Sequence, residues 1–95
     1  LMFGGYCIYH DGLMFALVDD DTLYLKADAG NISQFEQRGL HPFTYNSRGR
    51  TVQLSYYLAP AEMLEDRDEA AAWARRSFEA AIRSRTKGGK RGKKG

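Results

Sequence analysis

The residue types that most often do chemistry in proteins are sparse in this sequence and lack the required spacing. Neither His10 nor His41 has a histidine or cysteine partner at metal-ligand spacing, and no H-E-x-x-H or C-x-x-C pattern occurs. The run Asp19–Asp21 lacks the alternating ligands and the distant glutamate of a calcium loop, which favours a solvated turn. No serine lies in a G-x-S-x-G elbow. The sequence therefore predicts no catalytic residues, no metal site and no cofactor.

A cluster of cations at the carboxyl end has the charge to bind phosphates. The chain carries a net charge of +2, but residues 83–95 hold seven basic and no acidic side chains, which leaves a net charge of −5 on residues 1–82. Residues 87–95 contain no apolar side chain, so we expect a disordered tail. The alternatives are a nucleic-acid contact through counterion release and a purely solubilising end. The candidate phosphate contacts are Lys87, Lys90, Arg91, Lys93 and Lys94.

Two adjacent glycines, Gly4 and Gly5, interrupt the apolar run LMFGGYCIY. A phosphate cradle would need a helix directly after them, whereas the residues that follow are typical of a strand. We therefore interpret the pair as fold-shaping residues in the first strand, at a bulge or a close backbone contact.

Turn residues and alternation predict strands in the first third of the chain. Met2–Tyr9 and Leu13–Val18 flank Asp11 and Gly12, a dipeptide that suits a type I′ hairpin. Residues 22–26 alternate between apolar and polar side chains, which predicts a third strand after the aspartate turn.

Two more strands are predicted farther along, Phe43–Tyr45 and Thr51–Leu58, on either side of a turn at Gly49. The second is the clearest alternating segment, with a predicted polar face that includes Tyr57. Its predicted buried face carries Val52, Leu54, Tyr56 and Leu58.

Helical spacing occurs twice. Residues 28–39 predict one short helix. Pro60 opens a second helical region, in which Asp66 or Asp68 caps a longer helix that ends near Arg85. Glu79 and Arg83 are spaced for an ion pair on this helix. Its predicted apolar face carries Ala70, Trp73, Ala74, Phe78, Ala81 and Ile82.

Aromatic side chains on polar strand faces are candidates for contact with a partner. Tyr24 and Tyr57 both alternate onto such faces, and Lys26 lies on the same strand as Tyr24. These three residues form the candidate partner surface, whereas Trp73 and Phe78 are expected in the core.

The run MFGGYCIYHDGLMFALVDDDTLYLKAD resembles the N-terminal domain of the TfoX/Sxy family of bacterial competence regulators. Members typically carry an R-M-F-G-G-aromatic start, a D-G hairpin and a strand of the L-Y-L-K kind. The likeness continues through F-E-x-x-G-x-x-P-F-x-Y, S-Y-[WY]-x-x-P-x-E and W-A-R patterns, and it extends from Met2 to about Ile82. The signature positions, which we expect to be structural, are Phe3, Gly4, Gly5, Asp11 and Gly12.

The resemblance implies an α+β fold, with a curved antiparallel sheet of about five strands, a short inserted helix and a longer C-terminal helix. We expect this domain over residues 1–86, followed by the basic tail over residues 87–95. Family members usually have a helix before the M-F-G-G stretch, and we expect that helix to be missing from this chain.

The resemblance also implies a cytoplasmic regulator of DNA-uptake genes that acts with the cyclic-AMP receptor protein at promoters. We therefore predict a non-enzymatic regulatory or adaptor domain with protein partners among the transcription machinery. We also predict weak attraction to DNA through the tail and no membrane contact, and a homodimer is one arrangement of the domain. The alternative is a small-ligand or nucleic-acid binding module that uses the sheet face.

Overall fold

The computed structural model describes the backbone of residues 4–94 and the side chains of residues 4–85. In this part of the chain an antiparallel sheet packs against helices, which confirms the predicted α+β fold. The strands are β1 (Tyr6–His10), β2 (Leu13–Asp19), β3 (Thr22–Lys26), β4 (Pro42–Ser47) and β5 (Arg50–Leu58). The helices are α1 (Ile32–Gln37), α2 (Glu62–Glu65) and α3 (Arg67–Lys94).

The strand order is β1-β2-β3-β5-β4, and every neighbouring pair is antiparallel. The first three strands follow one another as a meander, because two-residue turns bring each strand back beside the last. Helix α1 then carries the chain across one face, and the β4–β5 hairpin returns so that β5 pairs with β3. Strands β1 and β4 are the open edges of the sheet.

Each of the three hairpins turns on two consecutive residues with positive φ, as a type I′ turn requires. Aspartate tolerates this conformation because its short side chain bonds locally to the backbone. The prediction of a hairpin at Asp11-Gly12 is confirmed. The paired turn residues are Asp11 and Gly12 (φ 50° and 75°), Asp20 and Asp21 (φ 52° and 58°), and Arg48 and Gly49 (φ 53° and 79°).

The glycine pair precedes the first strand rather than lying within it. Strand β1 begins at Tyr6, so the prediction that Gly4 and Gly5 belong to this strand is wrong. Gly4 has a φ of 79°, and a Cβ built on it would meet nothing within 4 Å. Gly4 therefore supplies a left-handed backbone turn into the sheet, not a close approach to another element.

A bulge lies in β2 instead, at Phe15. Ile8 pairs with Ala16 and Tyr9 pairs with Met14, so Phe15 is the extra residue of the β1–β2 ladder. Because a bulge changes the alternation of side chains, Ala16 and Met14 contribute to different clusters. This bulge distributes apolar side chains of β2 to both faces of the sheet.

The helices cover one face of the sheet and enclose the larger core. Phe35 of α1 is its centre, with ring centroids 5.5 Å from Tyr57 and 5.3 Å from Trp73. The aromatic contact therefore joins the sheet to α1 and α3. The buried members of this cluster are Ala16, Leu25, Ala27, Phe35, Tyr57 and Trp73.

Helix α3 buries a stripe that differs in part from the predicted apolar face, although the predicted Trp73 and Ala81 are both buried. The prediction that Trp73 is in the core is confirmed, but Ile82 is 37% exposed, so its place on the buried face is wrong. The buried stripe runs through Ser77 and Ala80, whose small side chains allow α3 to lie close to the sheet. Phe78 is partly buried, with its ring 6.3 Å from that of Phe15.

The start of α3 is fixed by a side-chain cap. Asp66 accepts hydrogen bonds from the backbone N–H groups of Asp68 at 2.8 Å and Glu69 at 3.2 Å, which confirms one of the two predicted caps. The helix continues to Lys94, past the predicted end near Arg85. The described side chains end at Arg85. The domain boundary predicted after residue 86 and the basic tail predicted over residues 87–95 therefore stay predictions.

A two-point ion pair ties α3 to the loop after β3. Arg83 donates from Nε to Asp28 Oδ2 and from Nη2 to Asp28 Oδ1, both at 2.7 Å. The sequence predicts Glu79 as the ion-pair partner of Arg83, whereas the structure pairs Arg83 with Asp28. The hydrogen bond to Asp28 raises the pKa of Arg83, and the charge of Glu79 raises it further. A Cβ on Gly30 would lie 2.6 Å from Arg83 Nη2, so glycine at this position makes room for the pair.

We predict that Arg83→Gln lowers the free energy of unfolding by up to about 1 kcal/mol, because a half-exposed pair is screened by solvent. The matched control is Arg85→Gln, which removes an equal charge from an exposed position nearby on α3. Urea unfolding at low and high salt measures both variants. Equal stability of the two at low salt would contradict a structural role for the pair.

We also predict that Ser77→Ala stabilises the protein by about 1 kcal/mol. The Ser77 hydroxyl is fully buried without a hydrogen-bond partner, and its removal relieves that desolvation penalty. Ser84→Ala is the control, since it has the same gain in helix propensity at a partly exposed position of α3. A gain in thermal unfolding temperature no larger than that of the control would refute the prediction.

Candidate partner-binding surface

The second face of the sheet carries an apolar cluster built from strand residues. We call this cluster the aromatic face. In the part of the chain whose side chains are described, all its members belong to β2, β3, β4 or β5, and none comes from a helix. The aromatic face consists of Met14, Leu17, Tyr24, Phe43, Tyr45, Leu54 and Tyr56.

Aromatic rings lie against one another across this face and cover its centre. The ring of Phe43 lies 5.0 Å from that of Tyr24, edge to face, and 6.0 Å from that of Tyr45, in a stacked arrangement. Leu17 is 0% exposed although no helical residue belongs to its cluster. The sheet therefore covers the middle of this face with its own side chains and leaves a partly exposed apolar periphery.

Tyr56 anchors the aromatic face to the neighbouring strand. Its hydroxyl donates a hydrogen bond to the carbonyl oxygen of Met14 at 3.0 Å. Burial raises the pKa of Tyr56 to about 12, and Cys7 and Tyr9 add to this shift. The phenol is therefore held neutral as a donor, as a buried tyrosine with one polar end requires.

Tyr24 lies at the partly exposed edge of the aromatic face. Its ring is 6.2 Å from that of His41, on the side away from the helices. Burial raises the pKa of Tyr24, and the nearby carboxylates of Asp19 and Asp20 raise it further. The structure therefore places this predicted contact residue among aromatic neighbours, with an acidic turn beside it.

Lys26 is the cation beside the aromatic face. Its Nζ donates to Ser55 Oγ at 2.8 Å and lies 5.1 Å from the centre of the Tyr56 ring. Burial lowers the pKa of Lys26, while the charge of Asp28 acts in the opposite direction. Its methylene stem and charged end offer a partner both apolar contact and a positive charge.

Tyr57 does not belong to this surface, and the prediction that it is exposed is wrong. Only 8% of it is accessible, because its ring packs beneath Phe35 in the core under the helices. The alternation along β5 predicts an exposed Tyr57, but both faces of this strand are buried near its end, at Tyr56 and Tyr57. Two consecutive tyrosines in an otherwise alternating strand are the signal that both faces are buried.

Sequence reasoning missed Phe43 and Tyr45 as surface-forming residues. It predicts a strand for both of them and no role for either side chain. Their separation by Thr44 places them on one side of β4, and this two-residue spacing is the signal that was available.

The residues of the predicted signature lie elsewhere. Gly4 and Gly5 precede β1, and Asp11 and Gly12 form its hairpin with β2. Phe3 lies outside the described residues. The side chains of the predicted phosphate contacts also lie outside those described, namely Lys87, Lys90, Arg91, Lys93 and Lys94.

The described residues offer neither a metal site nor a membrane-spanning helix. No group of three or more histidine, cysteine, aspartate and glutamate side chains there is arranged to hold a metal ion. No described helix is both long and apolar enough to cross a membrane.

Comparison with known proteins adds to this geometry. The family model for the TfoX N-terminal domain matches residues 1–81, which include all five described strands and about the first half of α3. This chain belongs to the TfoX N-terminal domain family. The resemblance inferred from the M-F-G-G and D-G motifs is thereby confirmed, and the aromatic face lies wholly within the matched residues.

A curated relative of this TfoX N-terminal domain is "Protein Sxy" of Escherichia coli (strain K12). The two are 27% identical over 85 residues, which cover 90% of this chain and 41% of that protein. The chain therefore spans about two fifths of the length of this relative.

We predict that the stability of the fold decreases at high pH through Tyr56. An unfolded tyrosine loses its proton near pH 10, whereas folded Tyr56 keeps it to about 12, so rising pH across this interval favours unfolding. The variant Tyr56→Phe has no phenol proton to lose at high pH. It also lacks the hydrogen bond to Met14, and that bond stabilises the wild-type fold by about 1 kcal/mol.

The measurement is urea unfolding of both proteins from about pH 8 to about pH 11. The wild type should be the more stable protein at the lower pH, and its advantage should shrink as pH rises. A stability difference that stays constant across this range would contradict the prediction.

Proposed function

We propose that this TfoX N-terminal domain is a non-enzymatic regulatory or adaptor domain that acts in competence-type transcription regulation through protein contacts in the cytoplasm. Family membership over residues 1–81 is the observation that carries the proposal. It is supported by the similarity to Protein Sxy and by an aromatic sheet face to which no described helical residue contributes.

The composition of the aromatic face suits a protein partner. Tyr24 and Tyr45 present large rigid rings with a polar end, a combination that is enriched at protein interfaces. Lys26 places a cation beside these rings. The partners that the family implies are the transcription machinery and the cyclic-AMP receptor protein, with a second copy of this domain as another occupant.

Nucleic acid fits the aromatic face less well. The sheet-face binding module that the sequence suggests uses Tyr24 and Tyr57 together, and Tyr57 is buried beneath α1 on the other face of the sheet. Residues 1–82 also carry a net charge of −5, which repels phosphates from most of the surface. We therefore place any attraction to DNA in the basic tail.

We predict that the aromatic face binds the purified cyclic-AMP receptor protein or RNA polymerase. Tyr24→Ser and Tyr45→Ser should each weaken this binding at least about fivefold, because aromatic residues contribute much of the binding energy at protein interfaces. Tyr6→Ser is the matched control because Tyr6 is 60% exposed and lies outside the aromatic face. Analytical ultracentrifugation of labelled protein measures binding and also detects a homodimer.

Binding that both serine variants retain at the strength of the control would remove the aromatic face from the proposal. Failure of the wild type to bind either protein, together with unchanged transcription of DNA-uptake genes in a deletion strain, would overturn the regulatory function itself.

We predict that deletion of residues 87–95 weakens binding to duplex DNA and reduces its dependence on salt. This deletion removes five cations, and the slope of log K against log salt falls by about 0.9 for each phosphate that is no longer neutralised. Gel-shift titration at several salt concentrations is the measurement. The control replaces the five cations by glutamine at unchanged length, and a slope unchanged in both variants would exclude the tail as a DNA contact.

A further inference from the structure

A second apolar feature lies beside α2, where β3 begins and β5 ends. Here the chain encloses an open cleft of about 460 Å³. Its walls come from the β2–β3 turn, the start of β3, the segment after α1, the end of β5, the connection that follows β5, and α2. The lining side chains include Leu23, Leu40, Leu58, Met63 and Leu64.

The connection between β5 and α2 explains why this space is open. Ala59, Pro60 and Ala61 all line the cleft, and their small side chains do not fill the volume between the flanking leucines. Leu64 is 86% exposed although it projects from a helix that packs on the protein. A large apolar side chain exposed to this extent beside an apolar cleft costs solvation free energy unless a partner covers it.

The groups around the cleft define the charge of such a partner. Among the described residues that line it, Asp21 carries the only charge. Asp20 lies in the same turn, and α2 adds Glu65 next to Leu64. Glu62 is paired with Arg38, which leaves Asp21 as the carboxylate of the lining, with Asp20 and Glu65 adjacent in sequence to lining residues.

We propose that this cleft binds a short basic peptide segment of a partner protein, which inserts one large aliphatic or aromatic side chain between Leu64 and Leu58 and places lysine or arginine beside Asp21. The apolar side chain would bury the exposed leucine, and the cations would neutralise the acidic rim. This surface is distinct from the aromatic face, so the inference does not depend on the proposed function.

A small polar metabolite fits the cleft poorly because few polar groups converge on it. The backbone N–H of Leu58 already donates to the oxygen of His41 at 2.9 Å, and that of Ala59 donates to the oxygen of Leu23 at 3.0 Å. Pro60 has no N–H to offer. The basic tail of this chain is also a poor occupant, because residues 83–95 contain no apolar side chain to fill the cleft.

The test is selection from a phage-displayed library of random short peptides on the immobilised full chain. We expect the enriched peptides to share a large apolar residue flanked by lysine or arginine. Fluorescence anisotropy with one labelled enriched peptide should then show about tenfold weaker binding to Leu64→Ser, since the peptide can no longer bury a leucine side chain there. Tyr6→Ser removes another exposed apolar side chain outside the cleft and should bind normally.

The charge of the rim is tested by Asp21→Asn, with Asp11→Asn as its match in the β1–β2 hairpin. Both aspartates have positive φ, which asparagine tolerates, so neither change should disturb the fold. Asp21→Asn alone should weaken peptide binding at low salt and have no effect at high salt. Failure to enrich any peptide, enrichment of acidic or purely polar peptides, or equal binding by Leu64→Ser and Tyr6→Ser would overturn the proposal.

Discussion

The burial of Tyr56 and Tyr57 on opposite faces of β5 is the constraint on which the rest of the structure depends. Consecutive residues of a strand point to opposite sides, so two consecutive buried tyrosines require a sheet that is apolar on both faces. Helices α1 and α3 satisfy this requirement on one side through Phe35 and Trp73. On the other side the strands cover themselves with their own aromatic rings.

This unequal coverage connects the fold to its proposed role. The helix layer is held firmly, by the aromatic contacts at Phe35 and by the two-point bond between Arg83 and Asp28. The aromatic face has no comparable second layer among the described residues and leaves the edges of Tyr24 and Tyr45 partly exposed. Such a surface suits the proposed protein contact, because a preorganised surface loses little conformational entropy when a partner binds.

Local signals predicted the local features well. The hairpin at Asp11-Gly12 and the cap at Asp66 follow from backbone preferences that hold in any context, and both are confirmed. Tyr57 and Arg83 could not be placed correctly in this way, because their neighbours Phe35 and Asp28 are distant in sequence. The sequence pattern places Tyr24 on the aromatic face and Lys26 beside it, and it assigns no role to the β4 aromatic residues Phe43 and Tyr45. That this face binds a partner stays a prediction.

Hydroxyl-radical footprinting of the full chain, free and with purified cyclic-AMP receptor protein and RNA polymerase, tests the central claim most directly. The account predicts that oxidation of Met14, Tyr24 and Tyr45 falls when the partner is present, while that of Trp73 under the helix layer stays unchanged. Unchanged oxidation across the aromatic face in a complex shown to have formed would contradict the claim that this face is the contact surface.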